Sequence, residues 1–248
     1  MLPPERRFRN LAGSLFLELV SANIVLMPNR YPQSCALARA TEVLGERWTL
    51  LIIRELLLGP KRFTDIRERL DGVSASVLTE RLTRLEEAEV VHRSVLPPPA
   101  ASTVYELTDS GRALEPAVHA LVRWGARYLL PLRPDERMEP DWMRMVLAAY
   151  ARTARSPERR FEIRVRNGAT EAVIHVAGGE HGTTVSETSA PSDVRFAISG
   201  AALLAFMSGR LRPLDALREG QIEADGDLSA LEDFAGLFDG KVTKEGSI

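Results

Sequence analysis

The chain has one cysteine, Cys35, in 248 residues. That excludes an intramolecular disulfide and any cysteine-rich zinc site, and a lone thiol suits a reducing cytosol. Histidine is scarce too: His92, His119, His175 and His181 never stand three or four apart, so a helical histidine metal site has no support. Aromatic residues are 6%, yet apolar residues reach 45% and charged residues 27%, the balance of a globular chain rather than a disordered one. Charge of neither sign dominates. The 32 Lys and Arg against 34 Asp and Glu leave −2, which excludes a uniformly basic nucleic-acid binder but leaves room for a locally basic surface. There is no internal repeat and no low-complexity tract. Nor is there a nucleophile–base pair, a phosphate loop or a metal cluster, so no catalytic residue, metal or cofactor is assigned.

A membrane partner is not expected either. The apolar run from Leu11 to Met27 follows Arg6, Arg7 and Arg9 as a signal peptide would, but Glu18 and Asn23 interrupt it. It reads as an additional N-terminal helix, or as residues upstream of a natural start at Met27. The expected location is cytoplasmic.

Four segments follow from composition: an N-terminal extension 1–30, a helix-rich segment 31–130, a linker 131–140 and a mixed segment 141–240. The linker holds Pro131 and Pro134 among Arg133, Asp135, Glu136 and Arg137. The helix-rich part is electrically neutral from residue 35 to 130 (13 − 13), and the acidic balance lies beyond it, from 131 to 248 (15 − 19 = −4).

The segment from Cys35 to Leu44 has helical apolar spacing and stops at Gly45. A second helix runs from Trp48 to Leu58 and ends at Gly59-Pro60. Phe63, Ile66 and Leu70 mark a short third helix, and Asp71-Gly72 a turn. Ser74 caps a fourth helix whose Leu78, Leu82 and Leu85 share one face. Strands Val90–Val95 and Thr103–Leu107 flank the proline-rich loop Leu96–Ser102, and Thr108 caps one long helix from Asp109 to about Leu130. A helix-turn-helix followed at once by a β-hairpin is a winged helix.

The residues then become specific. Cys35-Ala-Leu-Ala-Arg-Ala, Leu44-Gly-Glu-Arg-Trp-Thr-Leu-Leu-Ile-Ile-Arg-Glu-Leu, Arg62-Phe-Thr-Asp-Ile and Leu78-Thr-Glu-Arg-Leu-Thr-Arg-Leu-Glu follow one another in order. With Val104-Tyr105-Glu106-Leu107-Thr108 and Gly111, they resemble the HxlR-type winged-helix transcriptional regulators over about Tyr31 to Leu130. The resemblance implies a homodimer on double-stranded DNA, with the first and last helices of the segment packing across the two-fold axis.

The start of the fourth helix would enter the major groove. With the leucines facing inward, Ser74, Ser76, Thr79, Glu80 and Thr83 lie at its start or outer face, and Arg81 and Arg84 flank that face within reach of phosphate or guanine. Lys61, Arg62 and, on the wing, Arg93 suit phosphate contacts. Glu86, Glu87 and Glu89 would repel phosphate and should point away. For each polar residue the competing reading is a solvated helix surface. Cys35 stands at a helix start, where unpaired N–H groups favour an anion. Members of the resembled family carry a redox-sensing cysteine here; the competing reading is a small buried residue.

In the last segment, Asp141 to Arg152 reads as a helix. Strands are expected at Phe161–Arg166 and Glu171–Val176 around Asn167-Gly168, then at Thr183–Ser186, Val194–Ile198 and Gln221–Ala224. Helices are expected at Ala201–Met207, Pro213–Arg218 and Leu228–Phe238. The stretch from Asp193 to Leu211 and the stretch from Ala216 to Asp227 resemble the sterol-carrier-protein-like α+β fold. That resemblance implies an apolar tunnel, with Leu203, Leu204, Phe206, Met207, Phe234 and Leu237 as pocket candidates; the competing reading is ordinary core packing.

The sequence therefore reads as an α+β chain: a winged helix-turn-helix domain, then a sterol-carrier-like domain. The function expected is a cytoplasmic dimeric regulator on a two-fold symmetric operator, modulated by an apolar small-molecule effector or by Cys35 oxidation. The rival classes are an enzyme or an apolar-ligand carrier using the C-terminal domain.

Overall fold

The computed structural model describes residues 30–133, 135–240 and 242. The extension assigned to 1–30 thus lies outside the described residues, Arg30 excepted. The chain divides into two compact units. One runs to Leu56 and resumes over Pro60–Gly111; the other comprises Leu57–Gly59 and everything from Arg112 onward.

The first unit is built from α1 (Ala36–Leu44), α2 (Thr49–Leu57, its last residue counted with the second unit), α3 (Phe63–Arg69) and α4 (Ala75–Glu87), the hairpin β1 (Val91–Val95) and β2 (Thr103–Leu107), and the start of the short α5 (Asp109–Arg112). Leu78, Leu82 and Leu85 of α4 are buried, as are Ile52, Ile53 and Leu56 of α2 and Ile66 of α3. Their three- and four-residue spacing turns one face of each helix inward. Ser74 caps α4, accepting a hydrogen bond from the Val77 N–H at 3.3 Å. Thr108 caps α5 through the Gly111 N–H at 3.0 Å.

A charge is buried with these side chains. Glu55 of α2 has no exposed surface. Arg54 donates to its Oε1 through Nη2 at 2.7 Å, and Arg69, the last residue of α3, donates to Oε2. The carboxylate therefore ties α2 to the end of α3, immediately before the turn that leads into α4.

In the second unit, α6 (Glu115–Gly125) continues into a 3₁₀ turn (Ala126–Tyr128). Then come α7 (Trp142–Tyr150), β3 (Arg160–Asn167), β4 (Thr170–Ala177), β5 (Thr184–Ser186), β6 (Val194–Ser199), α8 (Gly200–Ser208), α9 (Pro213–Arg218), β7 (Glu223–Gly226) and a 3₁₀-helix (Leu228–Leu237). The sheet order is β5-β4-β3-β6-β7. Strands β3 and β6 are parallel, and the other neighbours are antiparallel. Strand β3 buries Phe161, Ile163 and Val165 and exposes Arg164 and Arg166, the alternation its sequence shows. Asn167 pairs with Thr170 across a two-residue turn in which Gly168 takes φ 57°.

Two expected helices differ. The long helix from Asp109 breaks into α5 and α6, because Pro116 lies in the first turn of α6. Lacking an N–H, proline starts a helix more readily than it continues one. The last segment is 3₁₀ rather than α. Leu228, Leu231, Phe234 and Leu237 recur every third residue, the period that stacks side chains on one face of a three-residue turn.

Helix α6 is built into the second unit. Ala126, just beyond its end, joins the core of that unit, and Val122, Leu129, Leu130 and Leu132 pack against it. Arg123 Nη1 donates to the carbonyl of Ala149 near the end of α7 at 2.5 Å. Leu121, Trp124 and Tyr128 remain exposed, Trp124 and Tyr128 in an edge-to-face contact at 5.3 Å.

Glu55→Ala should leave two guanidinium groups without their buried partner. The expected loss is about 3 kcal/mol of unfolding free energy, read from urea denaturation of the full chain.

Candidate nucleic-acid interface

Helix α4 has one face fixed by leucine burial, so its opposite face is fixed as well. Ser76, Thr79, Glu80 and Thr83 are exposed along it. Ser74 and Ser76 share a hydroxyl hydrogen bond at 3.0 Å at the helix start. The side chains of Thr79 and Thr83 make no hydrogen bond to another described residue, which leaves short hydroxyls facing outward.

The arginines of the helix are committed to the protein. Arg81 is only 12% exposed and pairs with Glu46 at 3.0 Å and Glu80 at 3.1 Å. Its Nε donates to the Arg47 carbonyl at 3.3 Å. Arg84 pairs with Glu80, one turn back, at 2.8 Å and reaches Glu46 at 3.5 Å. Glu46, in the turn between α1 and α2, thus holds both. Sequence reasoning did not find it: its partners lie 35 or more positions away, and no local spacing signals them. Arg81 acts as a strut, whereas Arg84, 30% exposed, keeps part of its guanidinium toward solvent.

The wing is braced on two sides. Lys61 and Tyr105 exchange backbone hydrogen bonds at 3.0 and 2.8 Å, extending the hairpin by one bridge. Arg62 Nε donates to the hydroxyl of Ser102 at the wing loop at 3.0 Å. Arg93 stacks over the Tyr105 ring at 5.3 Å and pairs with Glu86 at 2.9 Å. That hydrogen bond to Glu86 pushes the Arg93 guanidinium above its ordinary value. Glu86 is therefore turned to the wing, not to the outer face of α4. Lys61, Arg62 and Arg93 are gathered around one hairpin, beside the helix that carries the hydroxyls.

Cys35 is exposed and takes the N-cap position of α1 with extended backbone, φ −133° and ψ 128°. Its side chain makes no capping hydrogen bond. The alternative of a buried small residue is overturned: beside it only Ala38 of α1 is buried. Leu37 and Leu51 are exposed on α1 and α2.

The pocket candidates occupy a core. Leu203, Leu204, Phe206, Met207, Phe234 and Leu237 are each no more than 7% exposed. Phe234 stands 5.3 Å from Phe161, 5.6 Å from Phe196 and 5.2 Å from Phe238, ring centre to ring centre, in edge-to-face pairs. Ordinary core packing describes all six. Among the described residues no group of three His, Cys, Asp or Glu is placed to hold a metal ion. No helix among them is long and apolar enough to cross a membrane.

Comparison with known proteins gives two family matches. Residues 43–132 match the HxlR-like helix-turn-helix family, and residues 145–239 match the SCP-2 sterol transfer family. The HTH-type transcriptional regulator YodB of Bacillus subtilis is 40% identical over 92 residues, which are 37% of this chain and 82% of YodB. The uncharacterized HTH-type transcriptional regulator YvaP of the same organism is 39% identical over 93 residues, 38% of this chain and 86% of YvaP. A solved structure of reduced YodB is 37% identical, covering 41% of this chain and 100% of that one, at a TM-score of 0.35.

Proposed function

We propose, from the premise that the chain belongs to the HxlR-like helix-turn-helix family of transcriptional regulators, that it binds a two-fold symmetric operator as a cytoplasmic homodimer. One observation carries the reading. A helix held by three buried leucines presents Ser76, Thr79 and Thr83 outward, next to a wing that gathers Lys61, Arg62 and Arg93. Short hydroxyls approach base edges, and cations beside them meet phosphate and set the register. Arg84 keeps its reach toward phosphate or guanine, while Ser74, Glu80 and Arg81 order the helix start and its flank. The exposed apolar residues suit a dimer: Leu37 and Leu51 in the first unit, Leu121, Trp124 and Tyr128 in the second. The domain limits that go with this reading are 31–130 and 141–240, joined by 131–140. No catalytic role is assigned to either.

Regulation belongs to the same reading through two inputs. Cys35 is exposed at a helix start, open to an oxidant such as diamide, which takes the two electrons and two protons released when the thiol forms a disulfide with a small thiol or with Cys35 of a second copy. An apolar effector in the sterol-carrier-like domain would have to open the core around Phe234. It alters operator affinity only by favouring one dimer geometry over another.

Footprinting on DNA upstream of the chain's own coding region should protect two half-sites about 34–36 Å apart, with affinity falling steeply as salt rises. Protection of one asymmetric half-site contradicts the symmetric dimer. Thr79→Ala and Arg84→Ala should each weaken the specific site by about 1–3 kcal/mol, while Arg93→Ala should weaken all sequences alike. Normal operator binding by both helix variants would displace the reading face from α4. Operator affinity should respond to diamide in the native chain and not in Cys35→Ser, and it should shift about 5- to 150-fold with an active fatty acid. Equal response of both proteins to diamide removes Cys35 as the sensor, and indifference to a panel of fatty acids, sterols and aromatics removes the apolar effector.

A further inference from the structure

The second unit holds a cavity of 260 Å³ that none of the assigned residues lines. All its walls belong to that unit: Leu57 and Leu58, Glu115 and His119 of α6, Arg144, Met145 and Ala148 of α7, then Val185 and Glu187 at and beyond β5. The volume lies just under the range of about 300–1,000 Å³ usual for ligand pockets, so it suits a small molecule. Leucine, methionine, alanine and valine make up the apolar wall.

The charged groups are ordered by depth. The two bases lie deep: the Arg144 side chain is 16% exposed and that of His119 17%. The two acids stand at the rim: Glu187 is 68% exposed and Glu115 53%. Burial holds His119 below its ordinary pKa, against the raising influence of Glu115. Among the described residues Arg144 is paired only with Glu187, through Nη1 to Oε2 at 2.5 Å. An exposed glutamate can turn into water at little cost, whereas a guanidinium this deep cannot, so its charge favours another carboxylate in the same place.

We propose that this cavity binds a small monocarboxylate with an apolar body, its carboxylate on Arg144 in the place Glu187 now occupies and its body against Leu57, Met145, Ala148 and Val185. Glu187 acts as an internal competitor. The site is separate from the Phe234 core, and its occupancy does not require the operator reading to hold.

The test is isothermal titration of the DNA-free full chain with benzoate and with hexanoate, using benzamide as the uncharged counterpart of benzoate. At least one carboxylate should bind, and benzamide should bind about tenfold more weakly or worse than benzoate. Glu187→Gln, at an exposed position, should tighten carboxylate binding about threefold or more, because the competing charge is gone. Arg144→Gln should weaken it about tenfold. The idea is overturned if neither carboxylate binds the native chain or Glu187→Gln, if benzamide equals benzoate, or if Glu187→Gln leaves affinity unchanged. Because no DNA is present, a chain that fails to bind an operator can still pass this test, and one that binds an operator can fail it.

Discussion

Glu55 carries a full charge with no surface exposed to water, and the guanidinium groups of Arg54 and Arg69 hold it. A carboxylate in that position is tolerated only with such partners. The pairing sets where α3 ends relative to α2, and the turn from Leu70 to Val73 follows directly, closed by the Val73 N–H on the Leu70 carbonyl at 3.1 Å. Helix α4 starts at the next cap, Ser74. Its direction thus depends on a charge two elements earlier. Glu46 repeats the device from the other side, fixing the flank of α4 through Arg81 and Arg84. With Arg81 and Arg84 drawn to the flank, the outer face of α4 carries Ser76, Thr79 and Thr83 beside Glu80.

Helix α6 gives the chain its two-part character. By family match it belongs with the winged helix, since that match extends to residue 132. By packing it belongs with the sterol-carrier-like unit, whose core takes in Val122, Ala126 and Leu129. Leu121 and Trp124 on the same helix face solvent. A dimer that used them would fasten the two copies through the same helix that roots the C-terminal unit. In such a dimer, an event that shifts α7 against α6 would reach the interface through one helix, and Arg123 on the Ala149 carbonyl is a polar contact between α6 and α7.

Much of this was legible in the sequence because it is local. The leucines of α4, the Ser74 and Thr108 caps, the hairpin around the proline-rich loop and the alternation of β3 are each written within a few residues. The sequence misled where one local rule overrode another, as when Pro116 cut a helix its apolar spacing would have continued. A three-residue period in Leu228–Leu237 was likewise read as a helical face of the wider kind. What local pattern cannot contain is pairing at a distance. Glu46 with Arg81, Glu55 with Arg69, and the depth ordering of Arg144 and Glu187 arise only once the chain is folded. The six apolar residues proposed for a tunnel show the limit from the other direction, since a helix face that lines a cavity and one that fills a core carry the same residues.

Helix α4 is the element proposed to read DNA. A structure of the full chain bound to its operator tests this most directly. It should show α4 of each copy in successive major grooves, with Ser76, Thr79 and Thr83 at base edges and Lys61, Arg62 and Arg93 near phosphates. A complex in which α4 lies off the groove and another element meets the bases would contradict it.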